Sequence, residues 1–415
     1  MSWRTHVRVA AACLAVVATG CSAPAPGQGA EPAPGQGAAP APAPGPVPTN
    51  TPPRELTPAT TRYVSPPALT PKNGDGSAAQ PWNDFCYALG RVRTGDVLVV
   101  AGSHQTPYDM DTASTTSLTF ECRITPSATD VTVWGATDPL IKGALIVHGT
   151  VRWTFDNIDA TRSTHTGHQE LVAMVGGSGW RWTNCEIWGA QAFANFSVGH
   201  WGGLTPPTDF RIDHCFIHDN PGWAAGGHTR DQDHDMYVFT VNGVMANGVI
   251  EDNVIVGAPN GMNVKIGGTG NGASEGSDGI TFRRNVLANN RGIDGANLIV
   301  CTNSDSVTVE NNLFVSQAPA PTAVNVKLGG FSGSDLVLSD NLFWGFDPNA
   351  THPRPIMWSS GTGVYDLIDL NQTSVHLAQA RSIRSDPGYG PLSTANVRAS
   401  FPSVARGGVT YGPTS

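Results

Sequence analysis

The chain has 415 residues, 14% of them charged, with 33 acidic against 24 basic residues and a formal charge of -9. An acidic, weakly charged polypeptide argues against a nucleic-acid partner, because phosphate backbones are held mainly by clustered Lys and Arg. Gly and Pro are abundant, at 48 and 32 residues, and they are unevenly distributed.

Residues 1–21, "MSWRTHVRVAAACLAVVATGC", carry Arg4 and Arg8, a short apolar run and small residues before Cys21. The run is too short for a spanning helix and reads as an export signal. Its ending "VATGC" resembles a bacterial lipobox, with Ala18 where Leu is more usual, which implies lipidation at Cys21. Cleavage there removes both arginines and leaves a charge of -11. Residues 22–60 are Pro/Ala/Gly-rich, with too little apolar bulk to fold, and read as an extended tether. The expected protein is exported and lipid-anchored to the outer face of the cell membrane, or secreted, and monomeric. The expected folded domain runs over 61–400, with a tail at 401–415. Cys86 and Cys122 are candidates for a disulfide in an oxidising compartment.

The rest of the chain repeats. "TFDNIDATR", "WTNCEIWGA", "RIDHCFIHDN", "VIEDNVIVGAPN", "TFRRNVLANN", "TVENNLFVSQ" and "VLSDNLFWGF" share a β-rich run, then Cys or Asn, then apolar residues and a turn. Aligned on Asn157, Cys185, Cys215, Asn253, Asn285, Asn312 and Asn341, the intervals are 28, 30, 38, 32, 27 and 29 residues. A period near thirty in Val/Ile/Leu/Phe-rich strands predicts an all-β solenoid, since no single coil can bury its own apolar face. The recurrent Asn would stack as a hydrogen-bonded ladder. Cys185 and Cys215 fit the same slot as small buried thiols.

This pattern resembles the right-handed parallel β-helix proteins of the pectate-lyase-like superfamily. The resemblance extends to the N-terminal "RYVSPPALTPKNGDGSAAQPWNDFCYALGRVRTGDVLVVAGSHQTPY" and the C-terminal "HLAQARSIRSDPGYG". It implies an N-terminal capping helix. It specifies the fold well and the reaction poorly.

The strands "HDMYVFT", "GMNVKIGG", "GANLIVCT" and "AVNVKLGG" align by alternation. Met236, Val264, Leu298 and Val326 are expected to face in. Asp235, Asn263, Asn297 and Asn325 form one outward column, and Tyr237, Lys265, Ile299 and Lys327 a second. Two of the chain's four lysines fall in the matching "NVKIGG" and "NVKLGG". Duplication of the repeat explains this as readily as function does.

In β-helix polysaccharide lyases a basic residue on this kind of face removes the proton α to a uronate carboxylate. The resemblance therefore implies Lys265 as base, with Tyr237 donating to the leaving oxygen. Arg291, Arg230, Arg283 and Arg284 are candidates for neutralising the carboxylate. Asn263, His228, Arg230, His234, Asn297 and Lys327 are candidate substrate contacts.

The longest coil holds "HDNPGWAAGGHTRDQDHD", whose Asp231, Asp233 and Asp235 supply hard oxygen ligands and suggest Ca2+. His228 and His234 would instead favour a transition metal. A solvated turn paired with Arg230 is the plain alternative. The same aspartates, with Asp213 or Asp219, could form a hydrolase pair; an epimerase shares the lyase's proton abstraction. A non-catalytic glycan binder would use exposed rings among Trp180, Trp182, Trp188, Trp201 and Trp223. His165, His168 and His200 have no predicted place. The leading expectation is a polysaccharide substrate cleaved by β-elimination.

Overall fold

The computed structural model describes residues 60–70, 72–110, 121–162, 170–190, 193–199, 205–220, 233–240, 243–258, 261–267, 275–288, 296–301, 304–315, 324–329, 336–344, 356–358, 363–365, 377–384, 404–406 and 409–414. Short strands dominate and run parallel from coil to coil. Their register steps by one repeat at a time, from Thr154 to Arg181, Arg211, Val249, Thr281, Thr308 and Val337. The chain is a parallel β-helix. Nineteen strands form one folded sheet with two faces, and ten form the third wall. The exceptions to parallel pairing include the hairpins Ile356–Trp358 with Gly363–Tyr365 and Val404–Arg406 with Val409–Tyr411. No helix among the described residues is long and apolar enough to cross a membrane.

Side chains of like kind stack inside. Phe155, Trp182, Ile212, Ile250, Phe282, Val309 and Leu338 form one fully buried column. Phe155 and Trp182 stack at 4.4 Å between centroids. A second column runs Ile141, Ala160, Ile187, Ile217, Ile255, Leu287, Phe314 and Phe343. On the ten-stranded wall Met236, Val264 and Leu298 face in and are fully buried, as alternation predicts.

The corner between the two faces of the large sheet is a two-residue turn. Its first residue is left-handed in seven successive coils: Asn157, Asn184, His214, Asp252, Arg284, Asn311 and Asp340, with φ between 53° and 59°. Asn and Asp tolerate this region best, which is why they dominate the column. The second residue points inward. There Asn253, Asn285, Asn312 and Asn341 form the expected ladder, the first three each donating from Nδ2 to the next Oδ1 at 3.0–3.1 Å. Each also donates to a backbone carbonyl, as Asn285 Nδ2 does to Ile250 O at 2.9 Å.

Two sequence expectations change here. Asn157 is in the left-handed column, not the ladder; Ile158 fills the inward slot and is fully buried. Asn157 Nδ2 instead donates to Gly135 O and Asp138 Oδ1. Cys185 and Cys215 occupy ladder slots but are joined as a disulfide rather than free, because stacking brings their Cα atoms to 4.6 Å. Cys86 and Cys122 are also bonded, which ties the helix Phe85–Leu89 to the first strand of the ten-stranded wall. Asp84 caps that helix by accepting from Tyr87 N at 2.8 Å. Its Phe85, Ala88 and Leu89 are buried. Near the C-terminus, Thr414 donates through N and Oγ1 to Asp252 Oδ1.

Candidate functional site

The ten-stranded wall carries an outward column whose register reads Arg123, Ile146, Ala173, Ser197, Tyr237 and Lys265, and whose backbone register continues through Ile299 and Lys327. Tyr237 and Lys265 are therefore adjacent in consecutive coils, as the strand alternation predicts. The Lys265 ammonium lies 4.7 Å from the centroid of the Tyr237 ring. Tyr237 also stacks on Phe239 at 4.3 Å and meets His234 at 5.1 Å.

This face is well covered: Tyr237 is 3% exposed and Lys265 9%. Lys265 has no carboxylate partner and no hydrogen bond among the described residues, where its contact is the Tyr237 ring. His234 is fully buried and accepts from Met262 N through Nδ1 at 3.1 Å. Burial, reinforced by the Lys265 charge, lowers its pKa well below the ordinary histidine value and keeps the imidazole neutral. One coil earlier, Ser197 Oγ is buried with no partner among the described residues.

Several predicted contacts are not on this surface. Asn263 and Asn297 are fully buried. Asn263 Nδ2 donates to Asn297 Oδ1 at 2.9 Å and to Ala288 O at 2.7 Å, and Asn297 Nδ2 donates to Val315 O at 3.2 Å. They belong to a second polar ladder and cannot touch a substrate. Asp235 is in the same ladder, accepting from Asn195 Nδ2 at 2.9 Å and Asn220 N at 3.2 Å. Alternation marks these positions as outward. They lie at the starts of their strands, however, where backbone leaving the previous strand closes over Asp235 and Asn263 through Asn220 N and Ala258 N.

Asp233 is 1% exposed and accepts from Phe193 N at 3.2 Å. Asp233 and Asp235 are thus committed inside the wall and do not suit an accessible Ca2+ site; His234, equally buried, is no surface contact. Asp231, His228, Arg230 and Arg291 lie outside the described residues, as do Trp201, Trp223, His165, His168 and His200. Lys327 is described only by its place in the column.

Arg283, Arg284 and Asp213 belong to another face. Asp213 and Glu251 are fully buried carboxylates on the larger sheet. Arg181 and Arg211 bond Asp213. Arg211, Arg283 and Arg284 bond Glu251, and Arg284 also holds Asp252 at 2.7 Å. Burial works to raise the Asp213 pKa, but bonds from His214, Arg181 and Thr183 outweigh it and lower it. These arginines are occupied by protein carboxylates. Trp180 and Trp182 are fully buried core.

A second constellation escaped the sequence reading. On the outer side of the other face of the large sheet, Asp159 and Glu186 occupy equivalent positions in consecutive coils. His104 Nε2 bonds Asp159 Oδ2 at 2.8 Å, and Asp159 Oδ1 accepts Glu186 N at 2.6 Å. His218, in the next coil, bonds Glu186 through Nε2 at 3.0 Å and Asp219 through Nδ1 at 2.9 Å. Trp188 lies between the two imidazoles, 5.6 Å from His104 and 5.9 Å from His218. Burial raises the Asp159 pKa against the lowering effect of its hydrogen bonds. For His218 burial would lower the pKa, but Asp219 and Glu186 outweigh it and raise it.

A sequence signal for this cluster exists. The slot after the corner is acidic at Asp159 and Glu186, then apolar at Phe216, Val254, Val286, Leu313 and Leu342.

No protein-family model matches the chain, and no sequence among the curated proteins matches it. Solved structures are similar to it at low identity. A rhamnogalacturonan lyase is 15% identical over 75% of this chain and 90% of that one, with a TM-score of 0.43. Pectate lyase Pel9A is 13% identical over 86% and 96%, with a TM-score of 0.40. A native GH136 lacto-N-biosidase from Eubacterium ramulus is 10% identical over 78% and 68%, with a TM-score of 0.39. These are likenesses of shape and assign no activity to this chain.

Proposed function

We propose that the chain is a carbohydrate-active protein that binds an acidic glycan on the outer face of the ten-stranded wall and cleaves it by β-elimination. The observation that supports this most is Lys265. Lys265 is nearly buried and has no carboxylate partner among the described residues, so its amine is not held in an ion pair there and can serve a substrate. Tyr237 beside it supplies an aromatic surface and a hydroxyl.

In this reading an uncharged Lys265 amine takes the proton α to the uronate carboxylate. A carbon–carbon double bond forms as the glycosidic C–O bond breaks, and the Tyr237 hydroxyl protonates the leaving oxygen. Arg291 is the candidate for offsetting the substrate carboxylate. No calcium is assigned to Asp233 or Asp235, which are buried.

The test is ultraviolet absorbance of the unsaturated uronate product, screened over a panel of uronic-acid polymers. The expected result is turnover on at least one polymer that is lost in Lys265→Ala, with the β-sheet circular dichroism unchanged. Turnover surviving in that variant refutes the assignment of the base. Binding of the polymers without either new absorbance or new reducing ends leaves a glycan-binding module instead.

A further inference from the structure

On the large sheet's second face, away from Lys265, the geometry points to a separate divalent-cation site. We infer that His104 Nε2, Asp159 Oδ2 and the Glu186 carboxylate hold a first-row transition ion, with His218 as a positioning residue behind Glu186. The three donor atoms lie within 4.8 Å of one another and come from three separate chain segments. Closing three donors on an ion at about 2.0–2.2 Å draws them within roughly 4 Å of one another, which a rotamer adjustment of the Glu186 side chain can supply. Its side chain is 36% exposed, which leaves room for that movement.

Two features go beyond mere proximity. The first is the contrast with the neighbouring face. There, buried carboxylates stacked coil upon coil are neutralised by arginines, as Asp213 is by Arg181 and Arg211. Asp159, with a side chain only 10% exposed and Glu186 one coil away, has His104 as its ion-pair partner. The compensating groups here are imidazoles, His104 on Asp159 and His218 on Glu186, and a metal ion between the two stacked carboxylates would offset their mutual repulsion directly. The second is His218. Both its ring nitrogens are engaged, one by Glu186 and one by Asp219. It therefore fixes the orientation of Glu186 from behind, the arrangement by which outer groups orient metal-bound carboxylates. One imidazole nitrogen with two carboxylates suits Zn2+ or Co2+ better than Ca2+, which prefers oxygen donors alone.

The experiment is titration of tag-free, chelator-stripped full-length protein with Co2+, read by visible absorption, and with Zn2+, read by calorimetry. The expected result is one equivalent bound, with millimolar Ca2+ failing to displace it. His104→Ala and Glu186→Gln should each weaken binding by about 100-fold or more, and His218→Gln by about 10- to 100-fold. Lys265→Ala should leave affinity unchanged, which separates this site from the proposed glycan face. His104 is a surface side chain, 37% exposed, so its loss spares the core. Absence of Co2+ and Zn2+ binding, or binding unaltered in both His104→Ala and Glu186→Gln, overturns the inference.

Discussion

Asp235 occupies, one coil earlier, the ladder slot held by Asn263. Asn263 donates from Nδ2 to both a neighbouring Asn and a backbone carbonyl, which a carboxylate cannot do. Asp235 Oδ2 is buried without a hydrogen-bond partner among the described residues. Burial raises the Asp235 pKa well above the ordinary carboxylate value, against the lowering effect of the Asn220 N–H. As a neutral acid its hydroxyl can mimic the missing amide donor.

The sign of the pH effect follows. A raised folded-state pKa contributes stability that is fully present below the unfolded pKa of about 3.9 and is lost as pH rises through the folded value. Asp235→Asn should therefore gain stability over the parent at neutral and alkaline pH, on the order of 1–3 kcal/mol, the cost of an unsatisfied buried group. The gain should shrink toward pH 4. Denaturant midpoints at both ends of that range measure it. A parent more stable than the variant at high pH would show that Asp235 is ionised and satisfied.

Tyr237 and Lys265 offer a two-variant comparison. Tyr237→Phe keeps the ring under the ammonium and removes only the hydroxyl. It should leave stability nearly unchanged while abolishing turnover, if the hydroxyl is the proton donor. Tyr237→Leu also removes the ring and should cost about 1–2 kcal/mol in cation–π attraction. Equal thermal midpoints for the two variants would show that the ring contributes nothing to holding Lys265.

Asn285 tests the first ladder. Its Oδ1 accepts from Asn253 N and Nδ2, and its Nδ2 donates to Ile250 O and Asn312 Oδ1. Asn285→Ala strands several buried groups at once, so a loss on the order of 3 kcal/mol or more is expected in urea unfolding. A loss below about 1 kcal/mol would show that the neighbouring amides re-pair around the gap.

The repeats made much of this legible. A thirty-residue period with a recurring Asn dictates stacking, and stacking dictates that Tyr237 meets Lys265. The same logic, carried one step further, puts Cys185 and Cys215 within bonding distance. Asn157 shows the limit of alignment by residue type. Corner and ladder both select Asn, so a shift of one residue leaves the pattern intact while exchanging a left-handed turn for a buried slot. Alternation likewise fails at Asp235, Asn263 and Asn297, because it describes the strand and not what covers its start. The His104 cluster is half legible: the acidic slot shared by Asp159 and Glu186 stands out in the repeat, but His104 is 55 residues from Asp159 and belongs to no repeat.

Gly248 carries the last prediction. It falls in an inward column between Phe210 and Ile280, in a coil where the equivalent positions elsewhere hold Trp153 and Trp180. Trp180 and Phe210 stack at 4.9 Å, and the Phe210 ring extends into the space above. A Cβ at Gly248 would sit 2.2 Å from Phe210 Cζ and 2.8 Å from Ile280 Cδ1. The ring cannot retreat without breaking its stack on Trp180, and the rest of the column is fully buried. Gly248→Ala should therefore cost about 1–3 kcal/mol by overpacking. Phe210→Leu in the same chain removes the Cζ atom and should recover part of the loss. A thermal midpoint unchanged by Gly248→Ala would mean that the column has slack, and that the Phe210 ring is not fixed by Trp180.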